Sequence, residues 1–237
     1  MEAGKPTSVP LYAEDSYLRE FKAKIIKAGP RYVVLDKTCF YPKSGGQPSD
    51  TGFFIYKTKS FRVFKVLKRG NDIFHYIIGD LPEGAMVKGI LDWDARYLNM
   101  RKHSAEHLLS GLFDKAGAGP KVYSDLTRLE FKPSALKEGV VKQVWEEFNE
   151  VVEAEMPIKI SNIEKAELDA GEDERKRAFL DRIPRDVKKL RMVEIPGYDI
   201  NFCFGTHVRY TREIGPLDNL ELKHGRKQRK TVFFKLK

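Results

Sequence analysis

At 237 residues the chain is long enough to bury a full core, as one domain or two. Its composition, 41% hydrophobic and 32% charged, is that of a globular protein, and no run nears the ~18 apolar residues of a membrane span, so no membrane partner is expected. Two cysteines exclude a disulfide scaffold, the absence of an apolar leader points to a cytoplasmic location, and the net charge of +9 is concentrated in residues 223 to 237, which hold seven Lys/Arg and no acid.

Residues 1 to 10 read as a loose end. Phe21-Ala23-Ile25 and Tyr32-Val33-Val34-Leu35 flank the turn signal Gly29-Pro30 and predict a β-hairpin. A glycine-rich stretch follows, from Phe40-Tyr41-Pro42 through Ser44-Gly45-Gly46-Gln47 to Asp50-Thr51-Gly52. Its Gly-Gly pair allows positive φ and close approach to a ligand, although an ordinary turn has the same composition. No Gly-Lys-Ser/Thr closes it as a phosphate-binding loop. Strands are expected over 52–56, 61–67, 73–78 and 86–91, so residues 1–91 read as a small β-barrel domain.

Asp92 is placed to cap a helix running to about Gly117, with Leu98, Ala105, Leu108, Leu109 and Leu112 as its apolar stripe. Then come a strand over 122–131 and a helix over 136–155 that buries Val141, Val144, Trp145, Phe148, Val151 and Val152. A strand over 158–163, a charged helix over 173–181 and a strand over 189–195 complete the series. The mixture lacks βαβ regularity, so residues 92–237 are expected to form an α+β sandwich, and the chain as a whole to be α+β. The basic C-terminal stretch, with its interleaved aromatics, suits a polyanion such as RNA. Arg226, Lys227, Arg229 and Lys230 are the candidate contacts, and a solvated basic hairpin is the alternative.

His103-Ser104-Ala105-Glu106-His107 puts two imidazoles one turn apart on one helix face, a spacing that can reach one metal ion. Such pairs also occur on solvated helix faces. Cys203-x-x-x-His207 supplies the two donor types still missing, and soft sulfur argues for zinc over magnesium or calcium. His103, His107, Cys203 and His207 are therefore the candidate ligands of one Zn²⁺ per chain. Glu106 lies ~60° round the helix from the line joining the histidines, and a solvated glutamate is the expected reading. The same residues also fit the His-x-x-Glu-His pattern of inverted zinc metallopeptidases, with Glu106 as base, but that class has no use for Cys203 and His207. Cys39 is expected to be a core thiol.

Four stretches together resemble the AlaX family, free-standing relatives of the editing domain of alanyl-tRNA synthetase. They are the glycine-rich motif over Phe40–Gly52, His103-x-x-x-His107, Arg128-Leu129-Glu130-Phe131, and Cys203-x-Gly205-Thr206-His207 running on to Glu213-Ile214-Gly215. The glycine-rich motif separates this resemblance from the threonyl-tRNA synthetase editing domain and suggests the medium-length branch. Glu106 and Phe204 depart from the Thr and Gly common in synthetase-linked domains. The resemblance implies a hydrolase that removes Ser or Gly from mischarged tRNA(Ala), with Gly45, Gly46 and Gln47 lining the pocket. Ser104, Thr206 and Gln47 are candidates for contacting the serine hydroxyl. No obligate protein partner is implied. A non-catalytic tRNA-binding protein with a structural zinc is the alternative from another class.

Overall fold

The computed structural model describes residues 8–167 and 188–237, so the charged helix expected over 173–181 lies outside the described residues. The elements run β1 (Val9–Pro10), α1 (Leu11–Glu14), β2 (Glu20–Gly29), β3 (Tyr32–Leu35), β4 (Lys37–Thr38), β5 (Gly52–Tyr56), β6 (Lys59–Arg69), β7 (Asp72–Ile77) and β8 (Met86–Leu91). They continue as α2 (Trp93–Lys115), β9 (Lys121–Asp125), β10 (Arg128–Phe131), α3 (Glu138–Glu153), β11 (Lys159–Glu164), β12 (Lys189–Ile195), β13 (Asp199–Phe202), β14 (Leu217–His224) and β15 (Lys230–Leu236).

Strict alternation builds the first half. On β2, Phe21, Ala23 and Ile25 are buried while Lys22 and Lys24 face out; on β7, Ile73, His75 and Ile77 are buried. Six strands close into a barrel in the order β2-β3-β7-β6-β5-β8, which leaves no open edge. Its core holds His75 between the rings of Phe40 and Phe54, at centroid distances of 5.6 and 5.5 Å. Cys39 is fully buried beside them, and burial pushes its thiol up to about 12.

In the second half the sheet β14-β15-β10-β9 and the sheet β11-β12-β13 accompany α2 and α3, giving a mixed α+β architecture. Leu108, Leu109, Leu112 and Phe113 of α2 share one core with Val144, Phe148 and Val151 of α3 and with Leu129, Phe131, Val232 and Phe234 of the larger sheet. Asp92 caps α2 by accepting from the Ala95 amide at 3.3 Å.

Three expectations are corrected. The strand expected over 122–131 is a hairpin of β9 and β10, because Asp125 accepts from the Thr127 and Arg128 amides at 2.8 and 3.0 Å and turns the chain. Leu98 is 41% exposed and lies off the apolar face of α2. The basic C-terminal stretch is a hairpin, but not a solvated one throughout. β15 runs between β14 and β10, and Val232, Phe234 and Leu236 are buried in the core.

The two halves are joined through buried polar groups. Arg96, in the first turns of α2, donates from Nε to both Asp50 oxygens at 3.0 Å, and from its terminal nitrogens to Asp50, Ser16 O and Cys39 O. Glu213 gathers a second joint. The hydroxyls of Tyr17 and Tyr97 donate to it at 2.5 and 3.1 Å, and the Arg209 and Tyr210 amides at 3.0 and 3.1 Å.

Candidate metal centre

Helix α2 projects His103 and His107 from one face, and the loop after β13 brings Cys203 and His207 against them. The four donor groups all lie within 4.8 Å of one another. Cys203 Sγ is 3.5 Å from His103 Nε2 and 3.3 Å from His207 Nε2. For comparison, thiolate and imidazole ligands of one tetrahedral zinc stand about 3.5 Å apart. Position 205 must be glycine for this approach, since a Cβ there would fall 2.0 Å from His103 Cε1. The loop is held from below by Arg191, whose Nη1 donates to the carbonyls of Cys203 and Gly205 at 2.6 and 3.0 Å.

Each imidazole is gripped at its other nitrogen by a different element. His103 Nδ1 meets Gln47 Oε1 at 2.9 Å, His107 Nδ1 meets Asp199 Oδ2 at 2.6 Å, and His207 Nδ1 meets Ser104 Oγ at 3.2 Å. Outer hydrogen bonds of this kind fix the tautomer and aim Nε2 at a metal. The donor set and its orientation thus fit zinc.

The four groups perturb one another strongly. Burial alone would raise the Cys203 thiol, but the charge of His207 and hydrogen bonds from His103, His107 and His207 hold it well below the usual thiol range. Burial opposes the charged form of His107 too, yet its hydrogen bonds to Asp199 and Cys203 push it up to about 10. His207 moves the other way, to about 3, through burial first and neighbouring His103 second.

The glycine-rich stretch reaches the cluster through a single residue. Gln47, fully buried, donates from Nε2 to Thr206 Oγ1 at 2.8 Å and accepts from the Thr206 amide at 3.1 Å while it holds His103. Gly45 and Gly46 have positive φ, 54° and 82°, and form an exposed turn beside Ser124 and Asp125 of β9. Ser104 is fully buried, and its hydroxyl accepts from the Val208 amide besides meeting His207.

The family model described as tRNA synthetases class II (A) matches residues 13–95, and that of the threonyl and alanyl tRNA synthetase second additional domain matches 190–230. The alanyl-tRNA editing protein AlaX-M of Methanosarcina barkeri is 34% identical over 242 residues, covering 95% of this chain and 98% of the relative. The chain belongs to the AlaX family. An AlaX-M protein of Saccharolobus solfataricus is likewise 34% identical over 239 residues, covering 96% of this chain and 98% of its own. The alanine–tRNA ligase of Ignicoccus hospitalis is 36% identical over 226 residues, but this AlaX chain spans only 24% of that ligase.

Glu106 corrects an expectation. It is 6% exposed rather than solvated, and Lys121 Nζ donates to it at 3.0 Å. Burial would raise its carboxyl, but Lys121 and then His107 and His103 hold it below the usual range. That pairing, with the family assignment, removes the metallopeptidase reading. The basic candidates divide. Arg226 and Lys227 are exposed at the β14–β15 turn, Arg229 pairs with Glu130 at 3.3 Å, and Lys230 Nζ donates to Leu136 O. Residues not singled out from sequence are Asp199, Arg191 and Arg96, the partner of Asp50. An aspartate four positions before a candidate cysteine ligand was a signal available for the first.

Among the described residues no helix is long and apolar enough to cross a membrane.

Proposed function

We propose that this AlaX protein is a trans-editing hydrolase that cleaves the ester between a wrong amino acid, Ser or Gly, and the 3′-terminal adenosine of tRNA(Ala). The curated relatives are named alanyl-tRNA editing proteins, and that name supplies the substrate class. One observation carries the reading. Gln47, from the glycine-rich motif, is hydrogen-bonded to both His103 and Thr206, so the barrel is part of the metal site. We accordingly take residues 1–91 as the barrel domain and 92–237 as the editing domain.

His103, His107, Cys203 and His207 would hold one Zn²⁺, which when bound supplies Lewis acidity at the ester. Asp199, Ser104 and Gln47 keep the three rings aimed. Thr206, supported by Gln47, offers its hydroxyl to a serine hydroxyl, and an alanyl group would leave that partner unpaired. The Gly45-Gly46 turn would line the same pocket, as the family resemblance implies, and bear on the exclusion of alanine's methyl. Arg226, Lys227, Arg229 and Lys230 would meet phosphates, with the exposed turn residues contributing most.

The test is to incubate the zinc-loaded protein with Ser-tRNA(Ala), Gly-tRNA(Ala) and Ala-tRNA(Ala), with and without chelator. Release of serine and glycine that stops with chelator is expected, with alanine retained. No serine release from the zinc-loaded protein would end this reading. The four-donor arrangement favours one other reading, a tRNA-binding protein with a structural zinc. Tight binding of tRNA without release of any amino acid would support it.

A further inference from the structure

The chain carries a second concentration of positive charge besides the C-terminal hairpin. Residues 20–91 contain thirteen Lys/Arg against six Asp/Glu, a net +7 that equals the +7 of residues 223–237, while the remainder is −5. Sequence order hides this patch, because its cations alternate with apolar residues along the barrel strands.

Four neighbouring strands, β2, β3, β7 and β6, form one side of the barrel wall, with the cations on the two flanking strands, β2 and β6. Their registers align two rows across the wall. Gly29, Tyr32, Tyr76 and Lys65 form one row, and Lys27, Val34, Phe74 and Leu67 form the next. The rings make a connected surface, with Tyr32 5.2 Å from Phe74 and 6.4 Å from Tyr76, and Phe64 6.4 Å from Tyr76. Cations border two of the rings. Lys27 and Arg69 both stand 5.6 Å from Phe74, and Lys65 stands 5.9 Å from Tyr76.

Two backbone features shape this surface. A register shift between Val63 and Lys65 turns Phe64 outward, where it is 45% exposed. Gly29 leaves room for the Tyr32 ring to lie across β2, since a Cβ at 29 would fall 2.4 Å from that ring. Outward aromatic pairs also strengthen a sheet, which accounts for Tyr32 on Tyr76. It does not account for a half-exposed phenylalanine on a bulge, nor for the cations around Phe74 and Tyr76.

We propose that this face of the barrel binds unpaired RNA. Bases stack on Phe64, Tyr76 and Tyr32 while phosphates meet Lys27, Lys65 and Arg69. Each base has a π-face and each linkage a negative charge, so alternating rings and cations match a single strand whatever its sequence. A duplex keeps its bases stacked on one another and cannot use the rings. An acidic peptide would use the cations alone. The glycine-rich loop is fastened to the same strand, with the Lys43 amide donating to Val66 O of β6 at 3.1 Å, so the face adjoins the loop that reaches the metal cluster. The proposal goes beyond ester cleavage, concerns a surface holding none of the four metal donors, and stands whether or not the ester is cleaved.

The test uses the full zinc-loaded chain and a fluorescein-labelled oligouridylate of about twelve nucleotides, with fluorescence anisotropy as readout. A duplex of equal length is the comparison. The single strand should bind more tightly than the duplex. Phe64→Ala with Tyr76→Ala should weaken it about tenfold or more, and Tyr76→Phe should retain affinity. Lys65→Glu should flatten the salt slope by about 0.7. Thermal melts establish that each variant is folded, and Arg226→Glu with Lys227→Glu serves as the hairpin control. The proposal is overturned if the aromatic variant binds like wild type, if duplex binds as well as single strand, or if the hairpin variant alone abolishes oligouridylate binding. Serine release measured on the same samples separates the two readings, because wild type that binds the oligomer without releasing serine overturns only the deacylase.

Discussion

Two buried polar assemblies sit on either side of the joint between the barrel and α2, and they are built in opposite ways. In the barrel, His75 is saturated by its surroundings. Its Nε2 meets Thr38 Oγ1 at 2.8 Å, its Nδ1 faces Val33 O at 3.4 Å, and Arg96 with Asp50 nearby forms an ion pair closed by backbone carbonyls. In the metal cluster each histidine uses only Nδ1 for such support, and Cys203 Sγ receives Nε2 of both His103 and His207. Both kinds of histidine are buried. What distinguishes a ligand from a core histidine is therefore which nitrogens are spent on the fold.

The sharpest way to break this contrast is to remove a converging donor. Cys203→Ala should reduce bound zinc from about one per chain to a small fraction, measured by elemental analysis, and lower deacylation by more than about 100-fold. Unchanged zinc stoichiometry would exclude Cys203 from the site. Next in size is the closed pair. Asp50→Ala leaves the Arg96 guanidinium buried without its carboxylate and should cost about 3–5 kcal/mol in urea unfolding. A loss under 1 kcal/mol would mean that the pair does not hold the halves together.

His75 gives a pH signature. Burial lowers it to about 4 from an ordinary 6.5, so between those values the unfolded chain binds a proton that the native chain refuses. Stability should therefore fall as pH drops from 6.5 to 4, by up to about 3 kcal/mol from this group. His75→Phe should flatten that part of the stability–pH curve; an identical slope in the variant would show that His75 does not contribute it. The smallest effect is expected from an outer support. Asp199→Ala should weaken zinc binding about 10–100-fold in a chelator competition while leaving the protein folded. Equal affinity would leave Asp199 without a role in orienting His107.

The barrel was legible because alternation of period two is a local signal, and Phe21-Ala23-Ile25 and Ile73-His75-Ile77 display it. The cluster that could hold a metal was legible for a different reason: His103 with His107 and Cys203 with His207 each repeat within one helical turn or one tight loop. The contact of Gln47 with His103 crosses 56 positions, and nothing in Ser44-Gly45-Gly46-Gln47 announces which ring its amide will face. Glu106 was misread because helix geometry says where a side chain points but not what packs over it, and β9 brings Lys121 there. The C-terminal hairpin was read as solvated because charge dominates its first half, while Val232, Phe234 and Leu236 carry the buried-strand signal in its second.

The clamp of Arg96 on Asp50 has a mechanical meaning. At 1.5 Å per residue, His103 lies roughly 10 Å along α2 from that clamp. A lever of that length converts a tilt of about 3° into a displacement of roughly 0.5 Å at the imidazole, the tolerance of a functional site. Helix α2 is therefore an arm pivoted in the barrel wall, and the stiffness of its bearing sets how accurately the histidines are placed.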